Sequence, residues 1–237
     1  MIRLLSLLLC LAVSGFAAHA QFSKGDVILD LTGSYIESYN SSGVNISRYS
    51  SKIKTLDLAI SMGYCFTNSF TAGFGIEYIN TNELTNYEFY YPNAFTLLER
   101  LDSKANIFAP HIFFRYNKNI TGKLFFQAEL SSTYGFVSTN QESLQVGIRI
   151  YGNGVIDDNV LPGTFATGTE TSDNSSLFNV ALQPEFVYFL SDKIGLLLKI
   201  GGIQYNTDFD AHEWQITLNP SSWEYGFFLR VGKIQQL

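Results

Sequence analysis

Two histidines are the residues of this chain best suited to acid–base chemistry near neutral pH. His111 and His212 could each act as a general base that activates a serine hydroxyl for ester hydrolysis or acyl transfer. His111 falls on the polar face of a predicted strand, where a hydrogen-bonded structural histidine is the simpler interpretation. His212 lies in a polar, acidic segment. The sequence therefore predicts no catalytic residue.

A second candidate for chemistry is the acidic segment of residues 208–213, with the sequence DFDAHE. Its carboxylates and the imidazole of His212 lie close together in the chain, as the ligands of a divalent cation would. An acidic loop exposed to solvent explains the same composition without a metal. The sequence accordingly predicts neither a metal site nor a cofactor.

The secondary structure that would position these residues is clearest in residues 177–205. Apolar and polar side chains alternate there on either side of the short turn 191–193, which is the pattern of a β-hairpin. The apolar face is longer than in a small soluble sandwich and matches the length that a tilted strand needs to cross a bilayer. We therefore predict a transmembrane hairpin.

The same unit recurs in residues 56–78, with a turn at 67–69, and in residues 105–136, with a turn at 117–122. A first strand over 26–39 and a last strand over 222–231 bring the predicted number to eight. The four long connections between them are residues 40–51, 80–103, 138–176 and 206–221. Within the third connection, residues 144–151 alternate and are predicted as an extramembrane β-ribbon, with a ten-stranded barrel as the alternative.

The N-terminal segment has the features of a secretory signal peptide. Arg3 precedes an apolar run over residues 4–16, and Ala18-His19-Ala20 fits a small-x-small cleavage site. We expect cleavage near Ala20, which would leave residues 21–237 as one domain. Cys65 would then be the single cysteine, so a disulfide framework is excluded.

Strands can cross hydrocarbon only as a closed barrel, because every backbone polar group there needs a partner within the protein. An even number of strands and the alternation of short turns with long loops are typical of outer-membrane barrels. The 14 Tyr and 20 Phe residues exceed the need of a soluble core and suit aromatic girdles. The predicted fold is all-β: an eight-stranded antiparallel up-and-down transmembrane β-barrel with short periplasmic turns and long extracellular loops.

Charged side chains identify the inner face of this predicted barrel. Lysine or arginine facing lipid near the midplane costs about 2–4 kcal/mol, so Lys199, Arg115 and Arg230 should point inward. The same alternation directs further polar side chains inward, namely Asp30, Asp57, Glu77, Glu129, Glu185, Glu224, His111 and Gln127. Because side chains just fill an eight-stranded barrel, we predict a lumen plugged by ion pairs and hydrogen bonds.

The repeated hairpins also carry the paired Pro110 and Pro184, each six residues before a strand end at Tyr116 or Leu190. In these features the chain resembles the small outer-membrane β-barrel proteins of the OmpA/OmpX-like class. The resemblance implies integral insertion in the bacterial outer membrane, contact with lipid and lipopolysaccharide, and use of the barrel-assembly machinery. Proline has no backbone N–H to donate to the neighbouring strand, so we expect β-bulges at these two positions.

The resemblance and the composition together favour a non-enzymatic protein. The formal net charge of −6 argues against nucleic acid as a partner. The predicted role is adhesion, surface contact or envelope integrity through the long loops, towards an extracellular ligand of unspecified class. A small-solute or ion channel is the alternative, and a lipid-modifying enzyme is the second. Some barrels similar to this class modify lipid A with a serine–histidine pair, but the His-x-Ser spacing of that deacylase family is absent here.

Overall fold

The computed structural model describes residues 22–44, 47–91, 95–149, 165–208 and 211–233. The predicted signal peptide and its cleavage site lie outside these residues. The strands are β1 Asp26–Val44, β2 Ser47–Cys65, β3 Phe70–Tyr91, β4 Phe95–Thr121, β5 Leu124–Arg149, β6 Phe165–Phe189, β7 Ile194–Lys199, β8 Gly202–Asp208, β9 Ala211–Thr217 and β10 Glu224–Lys233. A 3-10 turn covers Pro220–Ser222.

No helix within the described ranges is long and apolar enough to cross a membrane.

The strands form one closed antiparallel sheet. Each of β1 to β6 pairs with the next strand in sequence, and β10 pairs with β1. β7 and β8 both pair with β6 and together form the seventh barrel strand. β9 pairs with β8 and β10 pairs with β7, so these two segments form the eighth. The ten strands thus occupy eight positions, and the predicted eight-stranded up-and-down barrel is confirmed.

Three short turns lie at one end of the barrel, as predicted, although the second covers residues 122–123 rather than 117–122. They connect β2 to β3, β4 to β5, and β6 to β7. In the first, the Thr67 hydroxyl accepts hydrogen bonds from the amides of Ser69 and Phe70. In the third, the Ser191 hydroxyl accepts them from Lys193 and Ile194. Side-chain acceptors therefore close these turns where the ladder ends.

The connections at the other end are long, as predicted, but where the structure describes them they are mostly strand. Residues 40–51, 80–103 and 138–176 are largely strand, and β1 and β2 stay paired from Val27↔Tyr64 to Val44↔Ser47. Residues 144–149 continue β5 and pair with both β4 and β6, so they belong to the extended sheet rather than to a separate ribbon. The connection 206–221 contains β9. Above the apolar band both faces meet water, so the hydrophobic alternation ends although backbone pairing continues.

The two mid-strand prolines are accommodated differently. Opposite Pro184, one extra residue is inserted between the Glu185↔Lys199 and Leu182↔Ile203 pairs, and Gly201 adopts a positive φ of 76°. This is the bulge that we predicted. Pro110 produces none: pairing to β5 is interrupted between Phe108↔Phe136 and His111↔Thr133, yet the register is the same on both sides. The missing proline N–H costs a ladder bond there without shifting the strand.

Candidate functional site

A continuous apolar band covers the outside of the barrel at its turn end. Its exposed members on the first four strands include Leu29, Leu31, Leu58, Ile60, Met62, Phe74, Ile76, Ile112 and Phe114. Exposed aromatic side chains border the band on the side away from the turns, namely Tyr35, Tyr78, Phe108, Phe136, Phe178 and Trp214. Just beyond this border, Lys52 Nζ lies 2.6 Å from Glu37 Oε1. An apolar band of this size between aromatic borders is the outer surface of a transmembrane barrel.

The turn end of the lumen is closed by aromatic side chains. The ring centroid of Phe22, which precedes β1, lies 5.0 Å from that of Phe125 and 5.4 Å from that of Phe189. Phe189 and Phe228 are 4.7 Å apart in an edge-to-face arrangement. With Ile28, Cys65, Val187 and Leu197 these rings form a buried apolar layer. Phe125, Leu197 and Phe228 point inward on the same alternation as the charged side chains of their strands.

Arg115 lies above this aromatic layer and binds three carboxylates. Its Nη1 is 2.9 Å from Asp30 Oδ2, its Nε and Nη2 donate to Glu129 Oε2, and its Nε lies 3.2 Å from Glu185 Oε2. The guanidinium carbon lies 4.7 Å from the centre of the Phe113 ring. All four charged side chains are almost fully buried. Because buried charges are costly unless paired, this cluster depends on all its members.

Lys199 extends the same network along the lumen, away from the turn end of the barrel. Its Nζ lies 3.4 Å from Glu129, 3.5 Å from Glu185 and 3.9 Å from Glu224. Arg230 Nη1 lies 3.9 Å from Asp26 Oδ2. The predicted inward set of three basic side chains with their carboxylates is therefore confirmed.

A chain of neutral polar groups, which the sequence analysis did not identify, lies beside the Arg115 cluster. Gln127 Nε2 donates to Asn117 Oδ1 at 2.7 Å, and Asn117 Nδ2 donates to Thr71 Oγ1 at 2.9 Å. The Cys65 sulfur lies 3.2 Å from the same Thr71 oxygen. We placed Asn117 in a turn, but it is a buried residue of β4. Asn117 has an odd residue number, like the inward-facing His111, Phe113 and Arg115 of the same strand, and this alternation could have revealed its inward orientation.

The lumen is not filled along its whole length. Above the charges is a cavity of about 370 Å³, lined by Asp57, Glu77, His111, Lys199 and Glu224 among others. The predicted plug therefore describes the lower lumen, whereas the upper lumen is open space.

The candidate chemical residues of the sequence do not come together. His111 faces the lumen, whereas His212 is exposed on β9, with its ring 6.3 Å from that of Tyr205 on the outer face. Asp210 lies outside the described residues, so the acidic segment 208–213 is described only in part. In the part of the chain that the structure describes, no group of three His, Cys, Asp or Glu side chains is arranged to hold a metal.

The closed sheet, the apolar outer band and the charged interior define a small membrane-spanning β-barrel of the outer-membrane type. No protein-family model and no curated protein matches the sequence. Similar solved structures include the outer membrane protein OprG from Pseudomonas aeruginosa, with 12% identity, a TM-score of 0.39, and coverage of 90% of this chain and 98% of that one.

The N-terminal β-barrel domain of OprF from Pseudomonas aeruginosa is 11% identical, with a TM-score of 0.31, and the match covers 88% of this chain and 98% of that domain. The translocator domain of the autotransporter NalP from Neisseria meningitidis is 8% identical, with a TM-score of 0.20, and the match covers 96% and 92%. These similarities concern architecture, and the class follows from the geometry of this chain itself.

Proposed function

We propose that this protein is an integral outer-membrane barrel without enzymatic activity that acts at the cell surface through its extended sheet. The observation that carries the proposal is the length of the strands. β4 has 27 residues, whereas about 9–11 tilted residues cross a bilayer. Residues 95–107, nearly half of this strand, therefore project beyond the aromatic border at Phe108 as hydrogen-bonded sheet.

The projecting sheet presents its side chains from hydrogen-bonded strands rather than from loops. β3, β4, β5 and β6 remain paired through it, from Asn106↔Ser138 to Phe95↔Arg149 in the β4–β5 ladder. A groove of about 670 Å³ on it is lined by tyrosine, polar and charged side chains, including Tyr39, Arg48 and Arg100, together with the apolar Leu98, Leu144 and Val146. Backbone pairing holds these side chains in place, which lowers the ordering cost of binding a partner.

The lower lumen supports a non-conducting barrel over the channel alternative. A buried aromatic layer and the Arg115 cluster fill it, and both would have to be displaced for a solute to pass. The lipid-modifying alternative has less support, because His111 faces the lumen while His212 is exposed on β9.

The proposal extends to export and partners. We propose that the signal peptide is removed near Ala20 and that residues 21–237 are inserted as one domain by the barrel-assembly machinery. The apolar band would contact lipid, and the charged border near Glu37 and Lys52 would meet lipopolysaccharide. The ligand of the extended sheet is an extracellular molecule, and nucleic acid is not a partner.

The test compares the full chain with a variant in which residues 140–172 are replaced by an Asn-Gly turn. Thr139 and Asp173, which flank the replaced segment, are register partners, so the shortened β5–β6 hairpin can close there. Both proteins should appear in the outer membrane and shift on a heat-modifiability gel. Only cells with the full chain should show increased settling or attachment to abiotic and cell surfaces.

Equal attachment of the two strains would count against a surface role of this part of the sheet. Stepwise conductance of the purified full chain in planar bilayers would instead support the channel alternative. Altered lipid A acylation, abolished by His111→Ala or His212→Ala, would support the enzyme.

A further inference from the structure

The barrel is not paired all the way up between its first and last strands. β1 pairs with β10 as far as Gly33↔Tyr225, and from Ser34 onward its described pairs are with β2 alone. The 3-10 turn Pro220–Ser222 diverts the chain at this level, and β9 continues as the partner of β8. We call the gap between residues 34–37 and residues 220–225 the seam.

A cleft of about 580 Å³ occupies the seam. Tyr35, Leu56 and Leu58 form one side, and Pro220, Trp223 and Tyr225 form the other. The indole Nε1 of Trp223 is buried and has no acceptor among the described residues. Tyr35 belongs to the aromatic border of the outer band, so the cleft opens at the level of the outer lipid leaflet.

The seam cleft adjoins the cavity of the upper lumen. Ser34 and Ile36 line both spaces, and no strand pairing separates them at this point. The two spaces therefore meet at these two residues. The aromatic layer and the Arg115 cluster lie below, so the lumen cavity ends there.

The charges around the lumen cavity favour a cation. The two basic groups at its floor, Arg115 and Lys199, are already shared among Asp30, Glu129, Glu185 and Glu224. Two further acids line the cavity; their carboxyl groups hydrogen-bond to each other, and neither forms an ion pair with a described basic side chain. They are Asp57 and Glu77. They lie diagonally across the β2–β3 ladder, since Asp57 pairs with Ile79 and Glu77 with Ala59.

We propose that the seam admits a small cationic amphiphile of the alkylamine type, with its ammonium group in the lumen cavity beside Asp57 and Glu77 and its chain in the seam cleft. Both spaces have the size of ordinary ligand pockets, about 300–1,000 Å³. The closed floor prevents the ligand from passing through the barrel. This site is additional to the surface role and does not depend on it.

The two tryptophans of the chain provide the measurement, since Trp223 lines the seam cleft and Trp214, on β9, does not. The full chain with Trp214→Phe, reconstituted in phosphatidylcholine nanodiscs, reports quenching of Trp223. The probes are a nitroxide-labelled alkylamine and the matched alkanol and fatty acid. We expect saturable quenching by the amine, with binding about tenfold tighter than that of the alkanol.

Two sets of variants locate the two parts of the site. Asp57→Asn with Glu77→Gln should reduce binding of the amine to the level of the alkanol. Ser34→Phe should block the junction of the two spaces, whereas Ser38→Phe, also on the inward parity of β1 but lining neither space, should leave binding unchanged. Heat modifiability checks the folding of each variant. If the double variant does not fold, the comparison of Ser34→Phe with Ser38→Phe decides.

Three results would overturn the proposal. The first is quenching that rises linearly and equally with all three probes, which is partitioning into lipid. The second is a preference for the amine that survives Asp57→Asn with Glu77→Gln. The third is a stable dimer whose formation protects Trp223 from every probe, because a second copy would then occupy the seam.

Discussion

Arg115 Nη1 lies 2.9 Å from Asp30 Oδ2, so an ion pair connects β4 to β1 across the lumen, between residues 85 positions apart. Two strands separate β4 from β1 on the shorter path around the barrel. The contact therefore does not depend on strand adjacency. It fixes the cross-section of the barrel from within, and Glu129 and Glu185 complete it.

Arg115→Met should destabilise the protein by about 3–5 kcal/mol, because it leaves buried carboxylates without their partner. Urea unfolding in detergent, followed by tryptophan fluorescence, measures the change. Arg48→Met is the matched control, since Arg48 is 82% exposed and 4.0 Å from Glu88, and it should change stability by less than about 1 kcal/mol.

Adding Glu129→Gln and Glu185→Gln to Arg115→Met should recover part of the loss, because the uncompensated charges are then removed. Equal stability of Arg115→Met and the wild type would show that the cluster contributes little.

Gly195→Ala should also destabilise the barrel. A Cβ atom at this position would lie 1.9 Å from Cε1 of Phe228, whose ring is held between Phe22 and Phe189. Overpacking of this kind costs about 1–3 kcal/mol. The unfolding midpoint in urea should fall, and Phe228→Leu in the same chain should restore part of it. Gly232→Ala, where a Cβ meets no atom within 4 Å, should leave the midpoint unchanged.

The Glu37–Lys52 pair should give the outer rim a pH dependence. The hydrogen bond and the charge of Lys52 lower the pKa of the Glu37 carboxyl from its ordinary value of 4.5. The pair therefore stabilises the fold above pH 4.5, and its contribution is lost as the pH falls through the lowered pKa. Titration of the Glu37 side-chain ¹³C resonance in wild type and Lys52→Met should show the pKa rising in the variant. An unchanged titration would contradict the pairing.

Cys65 should resist thiol reagents while the barrel is folded. Its side chain is fully buried within the aromatic layer, beside Thr71. Maleimide added to unheated protein in detergent should give no mass increase, and full labelling should follow boiling in SDS. A Ser38→Cys variant should react before heating, because residue 38 is exposed. Rapid modification of Cys65 in the folded protein would mean that the layer is open.

The membrane-spanning half of the fold could be predicted from sequence because lipid imposes a strict alternation. Lys199, Arg115 and Arg230 identified the inner parity, and the carboxylates followed from it. The projecting half could not be predicted in the same way. In residues 80–103 polar side chains occupy both faces, so nothing in the pattern distinguishes a strand from a loop, although β3 and β4 remain paired there.

The seam was hidden for a different reason. Residues 206–221 contain Pro220 and several polar residues, which indicated a plain connection. The structure shows instead that β9 is the upper part of the last barrel strand and that the turn at Pro220–Ser222 separates it from β10. The last barrel strand is divided because β9 pairs with β8 whereas β10 pairs with β7 and β1. Pairing between segments distant in sequence leaves no local periodic pattern.

The joint between the chain's two ends is the shortest in the ring. β1 meets β10 over eight residue pairs, but it meets β2 over eighteen. Because this joint forms between the two ends of the sheet and has few backbone hydrogen bonds, its pairing is expected to be the last step of barrel assembly. We expect the nascent sheet to form hairpin by hairpin and to remain an open, curved sheet in the membrane until β1 pairs with β10.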